Sequence, residues 1–391
     1  MAPTRFEFAT AARIVFGAGC SRELPEIVRG FGTNVLVVTG SKPERHQTLL
    51  EALGAHIPAL SSFPVAGEPT VAVAVSGAAL ARAGGCTAVV AIGGGSAIDT
   101  GKAIAALAAN PGDPFEFLEV VGRGRPLPQP SLPFIAVPTT AGTGAEVTRN
   151  AVLAVPDAGV KVSLRSPHML PRVAVVDPAL AVDLPASVTA ATGMDALTQL
   201  IEPFLSSRAN PLIDALCRDG IVRVARALAR VTERPRDLAL RTDLALGALY
   251  SGMALANTGL GAVHGFAAPI GGRFPAPHGA VCAALLPHVL RANLAALQAR
   301  AAEHPSLARF DELARLLVGR PGASALEAVD FTATLVATLS IPPLAHWGVT
   351  RDAIPDLVDR AAGASSMKAN PLSLTREEMV GILEDALAPV R

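Results

Sequence analysis

The sequence predicts two domains of different classes, an α/β domain followed by an all-helical domain. Short apolar runs that end in glycine recur in the first half of the chain, and such runs are typical of buried strands that lead into helices. Residues 177–185 are bracketed by prolines, which favours a hinge, and helical patterning takes over after them. The chain has 391 residues, of which 50% are hydrophobic, and this is enough material for two cores.

Two buried strands are predicted early in the chain. Residues 35–39 form a short apolar run closed by Gly40, and residues 87–92 form another that leads into G-G-G-S-A-I-D-T-G-K-A. A strand, a glycine loop and a helix in succession suit a phosphate group, because bare backbone amides at a helix N-terminus bind anions. The loop matches neither the G-x-G-x-x-G nor the Walker pattern, so an ordinary strand-to-helix turn stays an alternative.

A third predicted strand, residues 134–138, is followed by a second loop rich in hydroxyls and glycine, T-T-A-G-T-G-A-E-V-T-R-N. Two such loops after two strands favour a nucleotide site over two unrelated turns. The residues predicted to hold the pyrophosphate and nearby cofactor atoms are Gly94, Gly95, Ser96, Thr139, Thr140 and Thr143.

Two histidines mark the second half of the chain. His264 and His278 lie in a stretch interrupted by proline and glycine, and from Leu244 to Leu290 the only formally charged side chain is Arg273. A single histidine on an apolar helix is more often a hydrogen-bonded core residue than a ligand, so the pair needs a third partner.

An upstream helical stretch, A-S-V-T-A-A-T-G-M-D-A-L-T-Q-L-I-E-P, supplies that partner. It carries Asp195 and Gln199 four residues apart, on one face of the helix. One carboxylate and two imidazoles, from Asp195, His264 and His278, suit Zn²⁺ or Fe²⁺ and leave a coordination position for water or substrate. Sequence spacing alone does not establish that the three converge.

Further helices are predicted throughout the second half, joined by loops that carry glycine and proline. They span residues 211–231, 235–260, 278–303, 310–317, 324–339, 351–362 and 376–387.

Composition excludes several classes of function. The formal net charge is +0 and the basic residues are scattered, so nucleic acid and anionic membrane surfaces are not expected partners. No uncharged span of membrane length and no secretory signal is predicted, and we expect a cytoplasmic protein. The four cysteines lack C-x-x-C spacing, so we expect reduced core thiols and no zinc–thiolate site built from them.

The chain resembles the iron-containing (group III) alcohol dehydrogenases. The motifs G-G-G-S-A-I-D, P-T-T-A-G-T-G-A-E-V-T, V-V-D-P, G-M-D-A-L-T and P-H-G occur in the family's order, and the match runs over nearly the whole chain. The resemblance implies an α/β dinucleotide-binding domain at residues 1–184 and an all-helical metal- and substrate-binding domain at residues 185–391, as in the dehydroquinate synthase-like architecture. It also implies NAD(P), a divalent metal (Fe or Zn) and a homodimer.

Two positions depart from the family pattern. The family usually has histidine one helical turn after the metal-binding Asp195, but this chain has Gln199, whose carbonyl oxygen is a weaker ligand for Fe²⁺. The set Asp195, His264 and His278 resembles that of zinc-dependent glycerol dehydrogenases. A Gln199 that only hydrogen-bonds a group near the metal site and never contacts the metal stays an alternative. Many members also carry a histidine where this chain has Ala268, so no catalytic group beyond the metal site is identified.

The choice between NAD and NADP turns on the end of the first predicted strand. NAD-preferring members commonly have aspartate there, where this chain has Gly40, followed by Ser41, Lys42 and Arg45. Without the aspartate a 2′-phosphate is not repelled, so we expect NADP to be tolerated. Lys42 and Arg45 as plain solvated charges remain an alternative. Asp99 and Lys161 complete the predicted cofactor contacts.

The substrate pocket is predicted from uncharged walls and one polar contact. Asn150 resembles a substrate-side residue of related enzymes, and Met253, Leu260 and Phe266 are candidate walls that ordinary core packing explains equally well. Arg273 would anchor a carboxylate if the substrate had one.

The sequence leaves four candidate functions open. The first is an NAD(P)-dependent alcohol dehydrogenase or carbonyl reductase acting on a small alcohol, aldehyde or ketone. The second is a maleylacetate reductase, which would use Arg273. The third is a lyase of the dehydroquinate synthase type, disfavoured by the scarcity of basic residues around the histidines. The fourth is a non-catalytic nucleotide-binding protein, which Gln199 and Ala268 would allow.

Overall fold

The computed structural model describes residues 5–389, and this part of the chain divides into two compact units. One unit contains Ala9–Thr140 and Gly144–Asp183. The other contains the described residues before Ala9, the short segment Ala141–Thr143 and the described residues from Leu184 onwards. An α/β unit followed by a helical unit is the predicted fold class, which is confirmed.

The α/β unit is built on a parallel sheet of six strands in the order β1-β8-β5-β4-β2-β3, and β6 pairs with β7 as a separate antiparallel hairpin. Its strands are β1 (Ile14–Phe16), β2 (Asn34–Gly40), β3 (Ala59–Val65), β4 (Ala88–Gly93), β5 (Phe134–Pro138), β6 (Asn150–Val155), β7 (Val160–Arg165) and β8 (Val173–Val176). Its helices are α1 (Leu24–Arg29), α2 (Gln47–His56), α3 (Val71–Ala83) and α4 (Gly95–Ala109).

Every residue of β4 and β5 is buried, because apolar layers cover both faces of the sheet. Side chains of α1 and α2 pack on one face, and those of α3 and α4 pack on the other. A strand covered on both faces is a continuous apolar run without alternation, which is the pattern that predicted these strands. The three predicted strands are confirmed to within one residue at each end.

The chain leaves β2 and β4 in opposite directions. β2 leads to β3 at the edge of the sheet, whereas β4 leads to β5 on the other side, although β2 and β4 are hydrogen-bonded neighbours. Ligands of open α/β sheets bind at such a point, beyond the carboxyl ends of the two strands. The residues that end these strands are Gly40 and Gly93.

The helical unit begins its long helices at Ala186, directly after the predicted hinge. Its helices are α5 (Ala186–Leu205), α6 (Pro211–Glu233), α7 (Leu238–Thr258), α8 (Ala262–Arg273), α9 (His278–Arg300), α10 (Ser306–Val318), α11 (Ala325–Thr338), α12 (Ile354–Ala362) and α13 (Arg376–Ala386). Every helix predicted for this half of the chain is present, with ends displaced by a few residues.

One difference concerns the stretch around His264, where proline and glycine predicted interruptions. The structure has a continuous helix there, α8, with Pro269 inside it. Proline removes one amide donor, but Phe266 and Ile270 on either side of it are fully buried. Packing of this buried face stabilises a helix that local propensity disfavours.

α9 is long and apolar enough to cross a bilayer, but 78% of its most apolar window is buried inside the protein. Its apolar surface is therefore explained by packing within the helical unit.

Glycines allow α5, α6 and α7 to approach each other closely. A Cβ atom added at Gly193 would lie 2.3 Å from Leu228 Cδ1, and one added at Gly247 would lie 2.3 Å from Val224 Cγ2. Both distances are far below van der Waals contact, so no larger side chain fits without displacing its neighbour. This packing holds α5 in the centre of the unit.

The segment Ala141–Thr143 packs with these helices. Ser251 Oγ on α7 donates to the Gly142 carbonyl at 3.2 Å, and a Cβ atom at Gly142 would lie 2.8 Å from Thr192 Cβ on α5. The helical unit therefore includes three residues that lie far from the rest of it in sequence.

We expect Gly247→Ala to lower the melting temperature, because the added methyl group overpacks the contact with Val224 and such overpacking costs about 1–3 kcal/mol. The matched control is Gly381→Ala in α13, where a Cβ atom would meet nothing within 4 Å. There the helix propensity of alanine should leave the melting temperature equal or higher. Circular dichroism measures both, and equal melting temperatures for the two variants would contradict this account.

Candidate metal centre

Asp195 lies in the middle of α5, where it is only 2% exposed. Its Oδ1 atom is buried and has no hydrogen-bond partner within residues 5–389. Burial by itself raises the pKa of this carboxyl, but the imidazoles of His278 and His264 outweigh burial and hold the pKa below its ordinary value. An ionised oxygen without a partner in an apolar interior requires a positive charge beside it.

The two predicted histidines converge on this oxygen. His264 Nε2 lies 3.5 Å from Asp195 Oδ1, and His278 Nε2 lies 3.6 Å from the same atom. The ring centroids of the histidines are 5.3 Å apart, with the planes tilted by 54°. α8 supplies one imidazole and the first residue of α9 supplies the other. The structure thus brings together the three residues that spacing alone could not place.

A fourth side chain that was not predicted joins them. Cys282 Sγ lies 3.6 Å from His264 Nε2 and 3.6 Å from His278 Nε2, and the donor atoms of Asp195, His264, His278 and Cys282 all lie within 4.8 Å of one another. Cys282 was predicted to be a reduced core thiol, because the four cysteines show no C-x-x-C spacing. The available signal was its spacing, one turn after His278 on the same helix.

Cys282 is fully buried and differs electrostatically from the other cysteines. Burial raises the pKa of its thiol, but the imidazoles of His264 and His278 outweigh burial and lower the pKa below its ordinary value. At Cys217, by contrast, burial dominates and raises the pKa of the thiol. All four cysteines are free, and Cys20, Cys86 and Cys217 lie outside the cluster.

Glu202 orients His264 and was also missed. His264 Nδ1 donates to Glu202 Oε2 at 2.6 Å, and the other carboxylate oxygen accepts from the Val263 amide at 2.7 Å. With its proton held on Nδ1, His264 presents the lone pair of Nε2 to the cluster. The signal in the sequence was a second acidic residue two turns after Asp195 on an otherwise apolar helix.

Gln199 lies one turn after Asp195 on α5 and is 2% exposed. Its Oε1 atom is buried and finds no hydrogen-bond partner in the described part of the chain. An unsatisfied amide oxygen at this depth is costly, and a nearby cation or an ordered water would satisfy it.

Gly279 explains how His278 reaches the carboxylate. A Cβ atom at Gly279 would lie 2.2 Å from the carbonyl oxygen of Ala191 and 3.2 Å from Asp195 Cβ. The start of α9 therefore packs directly on the backbone of α5, which only glycine permits.

These residues fit a divalent metal ion. Carboxylate, imidazole and thiol are donors that bind Zn²⁺ and related metals, and here they lie together. Asp195 Oδ1 has no hydrogen-bond partner in the described part of the chain, and the Nε2 atoms of His264 and His278 lie 3.5 and 3.6 Å from it. One cation among these atoms would contact all of them.

In the α/β unit, the predicted glycine loop lies where β4 meets α4. Gly94 precedes the first residue of α4, and the first intrahelical amide bond runs from Ile98 to Gly94 at 3.1 Å. The preceding amides of α4 have no intrahelical acceptor, which makes this end an anion site. A Cβ atom at Gly93 would lie 3.4 Å from the Gly40 amide, so the ends of β2 and β4 are in close contact.

The hydroxyl residues of the second loop divide between the two units. The Thr139 amide donates to the Gly93 carbonyl at 2.9 Å, and a Cβ atom at Gly94 would lie 3.3 Å from Thr140 Cγ2. Both threonines therefore border the glycine loop. Thr143 belongs to the three residues that group with the helical unit.

Three other predicted contacts are engaged within the α/β unit. Asp99 Oδ2 accepts from the Val152 amide at 3.1 Å, and Lys161 Nζ pairs with Glu68 Oε2 at 2.9 Å. The carbonyl of Asn150 accepts from the buried Lys102 ammonium at 2.7 Å. Lys102, which was not predicted, also donates to the Ala145 carbonyl, so it fastens the second loop to α4.

The predicted substrate walls differ from one another. Phe266 is part of the main apolar core of the helical unit, whereas Met253 and Leu260 are buried but lie outside that core. Arg273 is half-exposed, pairs with Asp356 Oδ2 at 3.0 Å and stacks over the ring of Phe274. The same Asp356 oxygen also pairs with Arg360 at 2.9 Å, so one carboxylate serves two guanidinium groups.

Both units match known protein families. Residues 11–178 match the iron-containing alcohol dehydrogenase family, and residues 189–387 match the C-terminal domain of the Fe-containing alcohol dehydrogenase family. The 1,3-propanediol dehydrogenase of Klebsiella pneumoniae is 36% identical over 294 residues, which cover 74% of this chain and 73% of that protein.

Solved structures of other dehydrogenases and reductases superpose on this chain. A structure of 1,3-propanediol oxidoreductase superposes with a TM-score of 0.89 at 31% identity, covering 98% of this chain and 100% of the other. Sulfoacetaldehyde reductase from Bifidobacterium kashiwanohense, solved in complex with NAD⁺, superposes with a TM-score of 0.85 at 27% identity, covering 99% and 100% of the two chains. The chain belongs to the iron-containing alcohol dehydrogenase family and is an oxidoreductase that acts on CH–OH groups.

Proposed function

We propose that the protein is an NAD(P)-dependent, metal-assisted dehydrogenase that interconverts a small alcohol and the corresponding aldehyde or ketone. The observation that carries the proposal is the convergence of His264 and His278 on Asp195 Oδ1, a buried oxygen that has no hydrogen-bond partner among the described residues. Family membership supports the reaction class, and the relatives named 1,3-propanediol dehydrogenase and sulfoacetaldehyde reductase support a small substrate.

Asp195, His264 and His278 would hold the metal, with the Gln199 amide oxygen as a further candidate donor. A divalent metal supplies a Lewis acid that stabilises negative charge as it develops on the substrate oxygen. Asp195 supplies the anionic charge, and Glu202 keeps the Nε2 atom of His264 turned toward the cluster. Asp195, His264 and Glu202 are buried, which strengthens the electrostatic interactions among them, whereas the His278 side chain is 36% exposed.

The α/β unit would hold the nicotinamide cofactor, which accepts or donates the hydride. The amides at the start of α4 and the hydroxyls of Thr139 and Thr140 suit the pyrophosphate. The loop after β2 suits the adenosine ribose, because Gly40 ends that strand and Ser41, Lys42 and Arg45 are exposed beyond it. The NAD⁺ complex of sulfoacetaldehyde reductase supports this assignment, and use of NADP is our finer proposal.

Further proposals concern the substrate, proton transfer, the location of the enzyme and its oligomeric state. Asn150 and Leu260 are proposed to border the substrate, and nothing in the comparisons favours maleylacetate reductase. Ala268 offers no imidazole for proton transfer. A cytoplasmic location and a homodimer remain predictions.

We expect His278→Ala to abolish metal retention and turnover together, because the substitution removes one of the atoms facing Asp195 Oδ1. Elemental analysis and NAD(P)H absorbance with small aldehydes measure the two properties. His168→Ala is the matched control, since His168 is exposed and lies in the α/β unit. Full turnover in metal-free parent protein would overturn the proposal.

Glu202→Gln should weaken metal binding although every proposed ligand is still present. A neutral amide at position 202 holds the His264 proton less firmly, and loss of such a hydrogen-bond partner typically costs about 10–100-fold in metal affinity. Competition with a chromogenic chelator measures the change. An affinity equal to that of the parent would show that Glu202 does not orient the imidazole.

Gly40→Asp should discriminate between the two cofactors. A Cβ atom at Gly40 meets nothing within 4 Å, so the aspartate fits without distortion and acts through its charge. Repulsion of the 2′-phosphate by about 1–4 kcal/mol lowers NADP affinity about tenfold or more and spares NAD. Fluorescence titration with both cofactors measures this, with Gly54→Asp in α2 as the control for added charge. Equal losses for NAD and NADP would refute the assignment of this loop to the ribose.

A further inference from the structure

We propose that Cys282 is the fourth ligand of the metal and binds it as a thiolate, giving a donor set of one carboxylate, two imidazoles and one sulfur. This inference rests on the metal site of the proposed function and identifies a ligand that neither the motifs nor Gln199 supplied. When the metal binds, the thiol releases its proton to solvent and the sulfur lone pair is donated to the metal.

Four of the six distances between the donor atoms fit one tetrahedral metal, and the other two are within 4.8 Å. Sulfur at about 2.3 Å and nitrogen at about 2.0 Å from a tetrahedral Zn²⁺ ion lie about 3.5 Å from each other. Cys282 Sγ lies 3.6 Å from His264 Nε2 and 3.6 Å from His278 Nε2. The carboxylate satisfies the same geometry, since Asp195 Oδ1 lies 3.5 and 3.6 Å from the two nitrogens.

Hydrogen bonding alone does not explain this arrangement. A thiol has one hydrogen, yet Cys282 Sγ is equidistant from two imidazole nitrogens. Asp195 Oδ1 points into the same space, is buried and has no hydrogen-bond partner among the described residues. One cation among these atoms contacts all four at once, whereas the thiol hydrogen bonds to only one of the two nitrogens.

Cys282 is favoured over Gln199 as the fourth ligand. The sulfur lies in the cluster by measured distances to both histidines, and the helix that carries His278 also carries Cys282 one turn later. Thiolate is also the softer donor and is typical of zinc sites, whereas an amide oxygen is a weak ligand for such a metal. The departure from histidine at position 199 is thus compensated from a different helix.

Cobalt substitution tests the inference directly. Co²⁺ replaces Zn²⁺ in tetrahedral sites, and a Co²⁺–thiolate bond gives an intense near-ultraviolet charge-transfer band that nitrogen and oxygen ligands do not give. The full-length protein, stripped with a chelator and titrated with Co²⁺, should bind one ion and show this band. Cys282→Ser and Cys282→Ala should lose it, and their Zn²⁺ affinity should fall by more than the roughly 10–100-fold typical of losing an outer hydrogen-bond partner.

Cys86→Ser is the matched control, because Cys86 is a free cysteine outside the cluster, and it should keep the band. Stoichiometric Co²⁺ binding by the parent without the band overturns thiolate ligation but leaves the metal site of the proposed function intact. Persistence of the band in folded Cys282→Ala also overturns the inference. Equal Co²⁺ binding by the parent and His278→Ala overturns the proposed metal site itself. The parent spectrum needs no substitution, so the test does not depend on the variants folding.

Discussion

The helical unit is organised around Asp195, a buried carboxylate whose Oδ1 atom has no hydrogen-bond partner in residues 5–389. Placing such a group in an apolar interior costs several kcal/mol unless a positive charge lies beside it. Asp195 meets this condition only because two other helices deliver imidazoles to the same oxygen. Helix packing therefore places the imidazoles beside this costly group, and Gly279 lets the start of α9 come close enough to α5 to do so.

The arrangement of the α/β unit depends on the burial of its strands and on how they end. Its strands are buried on both faces, and the two that diverge from each other end in glycine, so the backbone is bare where a ligand would bind. Lys102 shows how the neighbouring loop keeps its shape. Burial of its ammonium group is unfavourable, but hydrogen bonds to the carbonyls of Ala145 and Asn150 offset that cost.

Most of this architecture could be predicted from sequence, and the exceptions have physical causes. β4 and β5 are continuous apolar runs of strand length, and α6, α7 and α9 to α13 are helical patterns flanked by proline or glycine, so local pattern suffices for them. The helix α8 was not predicted, because Pro269 lowers the local helix propensity and the sequence does not show how Phe266 and Ile270 pack in the folded chain. Cys282 and Glu202 were missed because their roles depend on groups that only the folded chain brings near them.

The three residues Ala141–Thr143 have a consequence for how such an enzyme is divided or recombined. They supply a carbonyl to Ser251 and fill a gap that Thr192 leaves only for glycine, yet they are encoded within the α/β half of the gene. A fragment cut at the proline-bracketed hinge would take the long helices but leave this piece behind. The helical unit is therefore not encoded by one continuous segment. Exchange between homologues at a single crossover would pair α5 and α7 with the segment of another protein that corresponds to Ala141–Thr143.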